Sequence, residues 1–229
     1  MSRRKKKRQQ EETLIDIYQA GEQAQDFFER NQIALLAGLF GIVLLIGGVF
    51  AYKNFYKKPQ MAEAISQIAK AQEQFERDSF AVALSNPGDG FMGFLDIIDN
   101  YSSSPTANIA KYYAGISYLH LGDYSNALDH IKSFDPVGNL TPIMKFGALG
   151  DIYSELNQMD DAKSNYKKAI GAGDNDILEA FYIKKLAMLH EKDGNDAESL
   201  ELYKRLRDEY AKTGFAKDVD KYITRLEAN

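Results

Sequence analysis

Ile33 to Tyr52 reads IALLAGLFGIVLLIGGVFAY and contains no charged and no strongly polar side chain. A helix of that length reaches about 30 Å, which is the hydrocarbon thickness of a bilayer. An uncharged run this long exceeds what a soluble core helix needs, so it predicts a transmembrane helix over residues 33–52. Gly38, Gly41, Gly47 and Gly48 would weaken a soluble helix but are ordinary in a membrane one. Arg30 bounds the run on one side; Lys53, Lys57 and Lys58 bound it on the other, beside Tyr52, Phe55 and Tyr56, which suit the interface. A cleaved signal peptide fits poorly. The run is too long, starts deep in the chain and has no Ala-x-Ala site after it.

Charge orients the segment. The amino flank carries Arg3, Arg4, Lys5, Lys6, Lys7, Arg8 and Arg30, against the three lysines of the carboxyl flank. The positive-inside rule therefore puts the amino end in the cytoplasm and the long remainder outside, which in a bacterium is the periplasm. The whole chain has a net charge of −5. Residues 1–58 are net basic and the remainder is net acidic, so the body would repel phosphate and is not expected to bind nucleic acid. The basic run suits anionic headgroups. Behind it, Leu14, Ile17, Tyr18, Gly21, Ala24, Phe27 and Phe28 recur at helical steps, which predicts an amphipathic lead-in helix within a tail of residues 1–32. Residues 53–60 are expected to be a juxtamembrane linker, and residues 61–229 the outer domain.

That domain repeats. Gly115, Tyr118, Ala127 and Ile131 return as Gly150, Tyr153, Ala162 and Tyr166, then as Ala187, His190, Ser199 and Tyr203. Turn signals at Gly122-Asp123, Asn157-Gln158 and Gly194-Asn195 keep the same register. Each unit reads as two helices. A small residue in the first lets the second approach, and the units must stack to bury their apolar faces. These residues resemble the tetratricopeptide repeat over roughly residues 108–212, the third unit being the most degenerate. Ahead of them, a helix is expected over Met61–Asp78, a break at Asn86–Gly90 and a helix over Phe91–Tyr101. A last helix carries Phe215, Val219, Tyr222, Ile223 and Leu226. The expected fold is thus all-α: one transmembrane helix followed by a tetratricopeptide-repeat α-solenoid.

No constellation for chemistry stands out. There is no cysteine, which removes disulfides and thiolate zinc sites. His120, His130 and His190 lack partners at ligand spacing, with His190 expected in the core. No phosphate loop or nucleophile elbow appears. The expectation is a non-enzyme with no cofactor, metal or small-molecule substrate. Its working surface would be the face lined by the first helix of each unit. Spacing assigns to that face Tyr112, Ile116 and His120, then Asp151, Ser154 and Glu155, then Lys184, Met188 and Glu191.

The order of parts resembles a narrower group. Phe27-Phe28-Glu29-Arg30-Asn31 stands directly before a Gly-rich membrane helix. An aromatic-basic exit, a long helix and tetratricopeptide units follow. This layout is similar to the YfgM-type proteins of bacterial inner membranes. The resemblance implies an ancillary role at the SecYEG translocon. Its partners would be translocon subunits, a membrane-anchored periplasmic chaperone and exported clients. An envelope adaptor for outer-membrane or cell-wall assembly is the alternative.

Overall fold

The computed structural model describes residues 2–228. It describes the side chains of Gln25 and of residues 27–228. The basic run at 3–8 and the face expected from Leu14, Ile17, Tyr18 and Ala24 lie outside the described side chains. The chain divides into two compact units, residues 1–59 and 60–229.

In the first unit, helix α1 spans Ser2–Ala51 and passes into a π-helical segment, Tyr52–Lys57. Helix α2 begins at Lys58, so the stretch expected as a linker is helical. Every large apolar side chain from Ile33 to Phe50 is exposed. The helix is long and apolar enough to cross a membrane. The π segment stacks Tyr52 on Tyr56, ring centroids 5.4 Å apart, and Lys58 Nζ donates to Asn54 Oδ1 at 2.8 Å.

The second unit is helical throughout. Helix α2 (Lys58–Glu76) is followed by α3 (Phe80–Ser85) and α4 (Phe94–Asn100). Three two-helix units follow: α5 (Pro105–His120) with α6 (Tyr124–Ser133), α7 (Thr141–Glu155) with α8 (Met159–Ile170), and α9 (Asp176–Lys192) with α10 (Asp196–Glu209). A 3₁₀ turn at Gly214–Ala216 and α11 (Val219–Glu227) close the chain. From α3 onward each helix packs on the next, and the first helices also touch one another, α5 with α7 and α7 with α9. That is the contact pattern of a stacked solenoid, in which first helices share a face.

The repeat positions explain the stacking. A Cβ on Gly115 would stand 2.5 Å from Ile131 Cγ1, and one on Gly150 would stand 2.4 Å from the Tyr166 ring. Only glycine lets these helix pairs come so close. In the third pair, Ala187 and Tyr203 are both fully buried. The turns within the units are also alike. Gly122, Asn157 and Gly194 all adopt positive φ. In each, the amide three residues past the helix end reaches back to a carbonyl of the last turn: Asp123 to Tyr118, Gln158 to Tyr153 and Asn195 to His190, at 2.8–2.9 Å. This is the hydrogen bond of a Schellman cap.

The amino-terminal part differs from the expectation. The helix expected over Phe91–Tyr101 covers only Phe94–Asn100, and the short helix α3 precedes the break. Gly93, just before α4, packs against the end of α3: a Cβ there would lie 2.3 Å from the Leu84 carbonyl oxygen. Ala64, Ile68 and Ala71 of α2 share a core with Leu84, Phe94, Ile97 and Ala110. Gln67 Oε1 accepts from the Met92 amide at 3.2 Å, which pins the connecting segment to α2. The last helix begins at Val219, and Phe215 stands in the 3₁₀ turn before it. Val219, Ile223 and Leu226 bury the inner face of α11.

Candidate functional site

The shared face of the first helices holds a groove of about 690 Å³. Its walls are Leu119, His120 and Tyr124 from the first unit, Asp151, Ser154, Glu155 and Tyr166 from the second, and Lys185, Met188, Leu189 and Lys192 from α9.

Asp151 sits at its centre, and its carboxylate is engaged. Oδ1 accepts from the Tyr166 hydroxyl and from Lys185 Nζ, both at 2.6 Å. One carboxylate thus ties α7 to α8 and α9. Lys185 Nζ also lies 4.8 Å from the centre of the Phe181 ring. Burial, and then Asp151, hold the Tyr166 hydroxyl far above the ordinary phenol pKa. The same two causes push Tyr112 up to about 12 and raise Tyr182. All three phenols are therefore kept neutral by burial and by the nearby carboxylate. At the rim, the Tyr124 hydroxyl donates to Glu155 Oε2 at 3.1 Å, which raises its pKa. Met188 is 51% exposed and offers a flexible apolar contact.

The residues assigned from spacing divide three ways. His120, Asp151, Ser154, Glu155 and Met188 line this groove. Tyr112 and Ile116 line a smaller apolar cavity of about 290 Å³ with Phe75, Tyr113, Phe134 and Met144. Tyr112 also packs against Phe134, ring centroids 5.5 Å apart. Lys184 and Glu191 turn away. Lys184 lies over the Tyr222 ring, and Glu191 pairs with Arg225 and accepts from Tyr203. The cause is α11, whose Tyr222 and Arg225 engage these two side chains and which packs on α10 as α7 packs on α6 and α9 on α8. The face of α9 toward the groove is therefore Lys185, Met188, Leu189 and Lys192. The spacing 185, 188, 189, 192 is itself a helical stripe, one residue away from the one assigned.

His190 is buried, and His120 stacks on Phe80 at 4.3 Å. Among the described residues, no group of three His, Asp or Glu side chains is placed to hold a metal ion. What the groove offers is a mixed surface: apolar walls, two lysines, two carboxylates and tyrosine hydroxyls.

No curated protein matches the chain. Residues 185–213 match the model of the tetratricopeptide repeat. The matched stretch runs from the middle of α9 through α10, in the unit that by its small and aromatic positions is the most degenerate of the three. The fold is all-α, one long apolar helix followed by a tetratricopeptide-repeat solenoid.

Proposed function

We propose that the chain is a non-catalytic, membrane-anchored scaffold whose repeat domain binds other proteins. The observation that carries this reading is the groove on the shared face of α5, α7 and α9. Stacked helix pairs bind through such a face, because it is long, open and lined by side chains from several units. The exposed apolar surface of α1 supports the anchor, since water would not tolerate so many bare aliphatic side chains. The flanking charges support an amino terminus in the cytoplasm and a repeat domain in the periplasm of a bacterial inner membrane. The domain boundaries follow: tail 1–32, membrane helix 33–52, juxtamembrane segment 53–60, repeat domain 61–229. Within this frame, the likeness to YfgM-type proteins favours an ancillary role at the SecYEG translocon, handing exported chains to periplasmic chaperones.

A photo-reactive residue at Met188, inside the groove, tests both levels. Capture of proteins from Met188 but not from Ile177, which is exposed outside the groove, supports the scaffold. Translocon subunits or a membrane-anchored chaperone among them supports the finer role. Equal capture at both positions argues against the groove. Recovery of outer-membrane or cell-wall factors moves the assignment to an envelope adaptor.

A further inference from the structure

Two polar atoms lie buried between α9 and α10 without a hydrogen-bond partner among the described residues: Nδ1 of His190 and Oγ of Ser199. His190 is 7% exposed and Ser199 is fully buried. The earlier units hold Tyr118 and Tyr153 at the histidine position, and Ala127 and Ala162 at the serine position. The last unit has thus exchanged an aromatic and a methyl group for an imidazole and a hydroxyl. A cavity of about 370 Å³ opens over the imidazole, walled by Leu186, Leu202 and Ala197 with Lys167, Glu198 and Glu201 at its rim.

The surroundings favour the neutral ring. A cationic imidazole here would lose its water and gain no acceptor for the proton. From α8, Lys163 and Lys167 face it and repel positive charge. From the α9–α10 turn, Asp193 attracts it, but that carboxylate is already paired with Lys163. From α10, Glu198 attracts it, and Glu201 lines the same cavity. On its own helix, Glu191 is engaged by Arg225, and Lys192 is exposed. Burial first, then the two lysines, lower the pKa of the ring below that of a free histidine.

We propose that the α9–α10 hairpin is an acid-labile latch on the groove. His190 takes up a proton only when the hairpin opens, and opening withdraws Lys185, Met188, Leu189 and Lys192 from the groove wall. A base whose folded pKa is depressed contributes stability above its unfolded pKa. That stability is lost as pH falls below about 6.5. The effect on capture rests on the binding reading above; the opening does not.

Hydrogen exchange of the full-length protein in detergent micelles, corrected for intrinsic rates, measures the opening. Below pH about 6.5 the opening equilibrium of α9 and α10 is expected to rise up to about tenfold per pH unit, and that of α7 and α8, which carry no histidine, much less. His190→Phe, which restores an aromatic, is expected to abolish the acid response of α9–α10. Retention of that response in the variant would overturn the proposal. The wild-type protein gives a second readout that needs no variant. Its His190 imidazole, followed by NMR, should titrate below a free histidine, and titration at or above about 6.5 would overturn the latch. Capture from Met188 should fall with the opening. Opening without a fall in capture would overturn the coupling, whereas no capture at any pH would count against the binding reading alone.

Discussion

Replacing Gly150 with alanine tests the repeat geometry at a tight aromatic contact within one helix pair. The added Cβ would stand 2.4 Å from Cδ1 and Cε1 of Tyr166. Carbon atoms prefer about 3.5–4.0 Å, so the ring must retreat by about 1 Å. Little there can give way. The Tyr166 hydroxyl is held by Asp151 at 2.6 Å, the ring stacks on Tyr182 with centroids 6.0 Å apart, and the residue is 4% exposed. Overpacking of this kind costs about 1–3 kcal/mol. Alanine recovers up to about 1 kcal/mol over glycine in a helix interior. The expected net loss is about 1–2 kcal/mol, or a Tm lower by about 2–8 °C for a domain of this size. Circular dichroism melting of the full chain in detergent reads it. Tyr166→Leu removes the ring, so in that background Gly150→Ala should be neutral or stabilising. A raised Tm for the single variant, or an unchanged cost in the leucine background, would refute the contact.

Other perturbations follow from the same packing. Asp151→Ala strips the acceptor from both Tyr166 and Lys185 and should cost about 1–3 kcal/mol; a double-mutant cycle with Lys185→Met should show coupling, and strict additivity would contradict the network. Tyr112, pushed up to about 12 mainly by burial, stays protonated in the fold while an unfolded phenol ionises near 10. Its contribution to stability is therefore full below pH about 10 and lost as pH rises through 12. Alkaline unfolding curves of wild type and Tyr112→Phe should diverge in that window, and parallel curves would count against it. Ser104 caps α5 by accepting from the Ala107 amide at 2.9 Å. Ser104→Ala should cost about 1 kcal/mol in thermal melting, and an unchanged midpoint would remove the cap.

The legible parts of the sequence were those written in short, regular spacings. The glycine, aromatic and alanine positions recur because each unit solves the same contact, and the turn signals recur because each pair reverses through one left-handed residue. Helix α3 was not legible. Phe80–Ser85 makes fewer than two turns, too short for a 3.6-residue period to show. On α9, the stripe facing the groove was displaced by contacts from α11, which lies far along the chain and leaves no local mark. Asp151 was found by position, but its engagement with Tyr166 and Lys185 depends on three helices meeting. Local pattern could not show that one carboxylate serves two neighbours.

In the proposed topology the repeat domain lies across a membrane from the basic tail. The chain has no cysteine, so single cysteines report topology without background. Val137 is 68% exposed in the repeat domain, and Gln10 lies in the tail. In intact spheroplasts, a membrane-impermeant maleimide should label Val137→Cys at once and Gln10→Cys only after the membrane is opened. Labelling of Gln10→Cys first, with Val137→Cys protected, would contradict the account.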